Sequence, residues 1–194
     1  FQSALGRDPG FGQAYAGLAT AYVLLPTYAD ESPEEAFALA SEAAIKALTL
    51  DATLAEAHAV LARINYANWN WTDAETGFFA AAGLQPGEPM PHHWYSHLLR
   101  AAGRLEAAMD EITQVSKSLG NMLWVAFSGG EVFLRKDLPD IARTFYKNNK
   151  PSIMFFPTNG IQPDRIAGMA EEIAKTCPKT AITVKISIDA VGDL

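Results

Sequence analysis

Glu131, Asn159 and Asp189 are spaced by 28 and 30 residues, and each stands in a short polar turn that closes an apolar run. The turns read Ser128-Gly129-Gly130-Glu131, Thr158-Asn159-Gly160 and Ser187-Ile188-Asp189. An ionised carboxylate only accepts hydrogen bonds, and glycine lets a backbone take positive φ and come close to a ligand. Glu131 beside Gly129 and Gly130 is therefore expected to receive a small polar group of positive charge. A phosphate loop is not expected, because neither GxxxxGK followed by Ser or Thr nor GxGxxG occurs. His92, His93 and His97 raise a metal question, since the last two are four apart and share a helix face. Packing is the better reading there, because no cysteine or acidic residue stands at metal spacing. The single cysteine, Cys177, excludes an internal disulfide, suits a reducing compartment and is assigned to packing.

The turns need strands to place them. "MLWVAFS", "SIMFF" and "AITVKISI" are continuous apolar or β-branched runs, the pattern of strands buried on both faces. Between them "LPDIARTFYKNN" and "PDRIAGMAEEIAKTC" carry apolar residues at helical spacing. Strand, helix, strand, helix, strand implies parallel pairing. The three turns then share the carboxyl edge of one sheet, where α/β folds bind ligands.

The chain before this region is built differently. Residues 1–112 hold 26 alanines, 5 Lys/Arg and 14 Asp/Glu, whereas 113–194 hold 7, 10 and 8. The net charge of -7 thus divides into about -9 and about +2, which sets a boundary near residue 112. Ala74, Phe78, Ala81 and Pro86 repeat Ala40, Ala44, Ala47 and Ala52 at a step of 34, and His92 repeats His58. Small residues at that period mark a helix-turn-helix solenoid. Tyr15, Leu18, Ala19 and Tyr22 occupy first-helix positions of one unit, and His58, Leu61, Ala62 and Asn65 those of the next. The first unit is nine residues too long, and the excess falls in "PTYADESPEE", read as a loop and a new helix start. Trp69, Trp71 and Trp94 are assigned to packing between helices. The acidic balance argues against nucleic acid, and no apolar run reaches the roughly 18 residues of a membrane span. A cytoplasmic location is expected, and both ends look cut.

The first region resembles the tetratricopeptide repeat, with "NWNWTDAETGF" and "PHHWYSHLLRAAGRLEAA" similar to arrays attached to bacterial regulators and cyclases. This implies docking of a protein or peptide partner. The second region, through "SGGEVFLRKDLPDI", "PTNG" and "ISIDAVG", resembles the radical S-adenosylmethionine (radical SAM) enzymes. That resemblance implies a partial parallel β/α barrel of about three strands, S-adenosylmethionine and a 4Fe-4S cluster. It places Gly129, Gly130 and Glu131 at the methionyl amino group, Asn159 at the next strand end, and Ser187 and Asp189 near the ribose. Val132 replaces the family's proline, and the CxxxCxxC that holds the cluster is absent, so radical catalysis is not expected. "RLEAAMDEITQVSKSLG" reads as one amphipathic helix joining the two patterns without a linker. The expectation is a fragment, helical repeats over 1–112 and a partial barrel over 113–194, keeping a cofactor-binding turn. The alternative is a repeat module beside a non-functional barrel remnant, which includes a chimeric reading of two genes.

Overall fold

In the computed structural model, which describes residues 1–187, the chain forms two compact units that divide between Val115 and Ser116. The division falls inside one helix, three residues beyond the shift in composition.

Unit one is all helix. A short α1 (Gln2–Arg7) leads into α2 (Gly12–Tyr28), α3 (Pro33–Leu50), α4 (Ala55–Ala67), α5 (Trp71–Leu84), α6 (Pro89–Ala101) and α7 (Leu105–Leu119). Pro33, Glu34 and Glu35 begin α3 where a helix start has no use for an amide hydrogen and its dipole favours negative charge. The stretch expected to be a loop from Pro26 is still helical to Tyr28. Pro26 lies in the last turn, where losing one backbone donor disturbs little of the helix that precedes it.

From α1 to α6 each helix packs on the next, and α2, α4 and α6 also touch one another in series. The small repeat residues form the seam. Ala40, Ala44 and Ala47 are fully buried, as are their counterparts Ala74, Phe78 and Ala81 34 positions later. Close approach is built in at Gly77, where an added Cβ would stand 2.8 Å from the Ala62 Cβ. Where alanine becomes Phe78, the ring stacks on Tyr95 with centroids 6.0 Å apart, and burying such a side chain contributes about 1.5–3 kcal/mol. Trp94 and Trp71 join this core, but Trp69 does not: its ring is 75% exposed at φ 64°, on the turn between α4 and α5.

The second unit carries β1 (Trp124–Ala126), α8 (Leu138–Asn149), β2 (Ile153–Thr158), α9 (Pro163–Thr176) and β3 (Ala181–Ile186). The strands are parallel in the order β1-β2-β3, with Trp124 opposite Ile153 and Ile153 opposite Ala181. Burial is one-sided, not two-sided as the apolar runs suggested. Val125, Met154 and Phe156 are buried with Ile166 and Ile173 of α9 and Ala142 of α8, whereas β3 is half-buried or exposed along its length. The two helices pack on each other over one face, and among the described residues of this unit nothing forms a second layer.

Two polar devices fix this unit. Asn149, fully buried at the end of α8, donates to the carbonyls of Ser116 at 2.7 Å and Gly120 at 2.5 Å, and accepts from the Ser116 hydroxyl at 2.6 Å. In the middle strand, Phe155 O accepts from Phe127 N and Thr158 O from Ser187 N, so the odd-numbered backbone groups of β2 turn to β1 and the even-numbered ones to β3. Pro157 therefore lacks its amide hydrogen on the β1 side, just past the point where β1 stops.

Candidate functional site

The carboxyl edge of the sheet gathers the first two turns. β1 leaves its ladder at Phe127 and the chain reverses through Gly129 at φ 100° and Gly130 at φ 51°, conformations that a side chain would strain. Glu131 follows, and Val132–Leu134 form a single 3-10 turn.

Both oxygens of Glu131 are engaged. Oε1 accepts from the Phe133 amide at 3.1 Å; Oε2 accepts from the Asn159 amide at 2.8 Å and the Thr158 hydroxyl at 2.9 Å. Burial pushes this carboxyl up, but the Asn159 amide, the Thr158 hydroxyl and the Phe133 amide together hold it below the usual carboxylate range. The same loop is held from α9: Arg165 donates from Nε to Phe133 O at 2.6 Å and from Nη2 to Leu134 O at 2.9 Å. Glu131 is thus a clasp between the loop after β1 and the end of β2. The expected acceptor of an outside cation spends three of its roughly four lone-pair sites on its own chain.

Asn159 is brought to Glu131 through its backbone, while its side chain closes its own exposed turn: Oδ1 accepts from the Ile161 amide at 3.0 Å. The Thr158 hydroxyl also accepts from the Gly160 amide at 3.1 Å. Ser187 is exposed just past β3, its amide donating to Thr158 O at 2.9 Å. Asp189 lies outside the described residues. The partners that sequence reasoning missed are Thr158, the Phe133 amide and Arg165. Thr158 stood in the expected turn, and its hydroxyl beside a glycine-loop carboxylate was the available signal.

Beside Glu131 lies a hollow of about 200 Å³, lined by Glu131, Asn159 and Gln162 on its polar side and by Leu134, Ile161 and Ile166 on its apolar side. Pockets for drug-sized ligands run to roughly 300–1,000 Å³, and this hollow is smaller than those. The residues do not fit an iron-sulfur cluster. Among the described residues no three His, Cys, Asp or Glu side chains are grouped to hold a metal. Cys177 is fully buried, and burial pushes its thiol up, against the opposing pull of Thr176 and Arg143.

The histidines have separate surroundings. His92 is buried and held at both nitrogens, by Glu111 Oε2 at 2.5 Å from Nδ1 and by Pro86 O at 3.1 Å from Nε2. His93 and His97 are exposed residues with ring centroids 4.5 Å apart. His58 points Nε2 at Ala52 O, 2.9 Å away, one repeat before the His92 contact with Pro86. Among the described residues no helix is long and apolar enough to cross a membrane.

No family model matches the chain, and no curated protein matches it. Among solved structures it is similar to the crystal structure of MamA, at 14% identity over 92% of this chain and 81% of that one, with a TM-score of 0.46.

Proposed function

We propose that the helical unit is a tetratricopeptide-like docking module for a protein or peptide partner. The observation that carries this reading is the serial packing of α2, α4 and α6, each touching the next, over the alanine seam set by the 34-residue period. Such stacking leaves first-helix side chains, Tyr15, Tyr22 and Tyr66 among them, only partly buried on a regular scaffold. Panning a displayed random-peptide library on the full chain tests it. Saturable peptides that are lost in Tyr15→Ala or Tyr66→Ala, with unfolding otherwise unchanged, support docking; no selected peptide overturns it.

A second reading concerns the α/β unit and is favoured by the hollow beside Glu131. There the remaining lone pair of the carboxylate, with Gln162, would receive the amino end of S-adenosylmethionine, and the nucleoside would lie outside the hollow. Radical cleavage is no part of this reading, since the cluster ligands are missing. Equilibrium dialysis at millimolar S-adenosylmethionine decides it: retention that disappears in Glu131→Ala supports the site, and absence of retention removes it.

A further inference from the structure

On one side the sheet of the α/β unit ends at β1, which among the described residues pairs with β2 alone. Leu123 O accepts from Ile153 N and Phe127 N donates to Phe155 O, so the odd-numbered backbone groups of β1 turn to β2. By the alternation of a strand, the N–H and C=O groups of Trp124 and Ala126 turn outward from the edge. Proteins usually blunt such an edge with a charge, a proline or a bulge. β3, at the opposite side of the sheet, carries Lys185, whereas residues 118–130 hold no charged residue and no proline, and the β1 register runs without a bulge. The side chains there are apolar and open to solvent: Leu123 is 71% and Trp124 54% exposed. With Leu119, Met122 and Phe145 they line a groove of about 620 Å³.

We infer that this edge pairs with the same edge of a second copy of the chain, antiparallel about a twofold axis through Val125. A twofold contact must be complementary to itself, and this one is. The axis sets Trp124 opposite Ala126 of the second copy, and Ala126 opposite the second Trp124, each pair exchanging both backbone hydrogen bonds. Trp124 and Ala126 are exposed on the same face of β1, so each pair lays a large ring against a small residue. Moving the axis to Trp124 would set ring against ring. Rotation about the sheet normal also keeps α8 of both copies on one side of a continuous sheet twice as wide, and joins the two apolar grooves across Val125. With no charge on either edge, nothing repels the second copy.

Sedimentation equilibrium of the full chain tests this. A reversible monomer–dimer equilibrium in the micromolar range is expected for so small a contact. Ala126→Trp sets ring against ring and should weaken the dimer about tenfold. Adding Trp124→Ala to it restores the large-against-small pair with the roles exchanged, and should return the dimer to within about threefold of the parent. A second measurement does not depend on how the strand tolerates bulk. Chains carrying Trp124→Cys and Ala126→Cys, mixed and gently oxidised, should give the mixed disulfide in preference to either symmetric one. Directly opposed Cα atoms stand about 5.5 Å apart, within disulfide reach, whereas equal positions lie on a diagonal of roughly 7–8 Å. The native Cys177 is fully buried and does not compete. A chain that stays monomeric, a dimer indifferent to Ala126→Trp, a double variant that stays weakened, or symmetric disulfides as abundant as the mixed one would overturn the inference.

Discussion

His58 and His92, 34 residues apart, make the same contact: each directs Nε2 to the carbonyl six residues earlier, Ala52 O at 2.9 Å and Pro86 O at 3.1 Å. The carbonyl can only accept, so Nε2 carries the hydrogen in both. The units differ at the other nitrogen, where His92 meets Glu111 and the position 34 before Glu111 is Gly77.

That difference sets two unequal costs. His92→Ala removes a buried ring and strands Glu111, whose side chain is only 19% exposed. We expect a loss of about 2–3 kcal/mol, against under ~1 kcal/mol for His58→Ala at its half-buried site. Urea unfolding of the two variants measures the gap, and equal losses would show that the Glu111 contact adds nothing.

Asn149 should be the most sensitive polar residue of the α/β unit. Asn149→Leu leaves the Ser116 hydroxyl and the Ser116 and Gly120 carbonyls without this partner, at an expected cost of about 3 kcal/mol. Hydrogen exchange of the Met122 amide, which donates to Asn149 O, reports the loss locally; unchanged protection and stability would count against the clasp.

Glu131 links its loop to acid sensitivity. Its folded value lies below the ordinary 4.5, so its contribution is complete above that value and is lost as pH falls through the lower folded one. Glu131→Gln should cost about 1–2 kcal/mol at neutral pH and flatten the stability profile in that acidic window. A profile as steep as that of the parent would argue against the three hydrogen bonds.

His93 has a linkage of the same sign in a higher pH window. Loss of solvent first, and Arg63 second, hold its ring below the ordinary 6.5. The unfolded chain therefore takes up this proton at higher pH, and the residue lowers stability as pH falls below 6.5 toward the folded value. A ring NMR titration should place its midpoint below 6.5 and move it up in Arg63→Ala; a midpoint that ignores this substitution would contradict the proximity of the two groups.

Much of the helical unit is legible in the sequence because its packing depends on small residues at a fixed period. Ala40, Ala74, Ala47 and Ala81 announce the seam by type and spacing alone. Trp69 is misread because aromatic bulk usually means core, whereas a tight turn forces this one to φ 64° and out into solvent. In the α/β unit the alternation of strands and helices is plain, but continuous apolar runs do not say which neighbours will cover them, so the one-sided burial is not visible. The Glu131 turn shows its residue types and hides its partners. Whether a carboxylate serves a ligand or its own chain depends on the direction of the Asn159 amide and the Thr158 hydroxyl, which are set only once β1 and β2 are side by side.

Pro157 gives the small sheet a means of proofreading. Sliding β1 forward by two residues would keep every side chain on its proper face, the one error that hydrophobic patterning cannot penalise. Such a slip would bring the ladder against a position with no hydrogen to give, so the mispaired form would lose a bond that the correct alignment never requires. A residue that ordinarily spoils a central strand thereby selects one alignment, and with it the spacing at which the Glu131 loop meets Asn159.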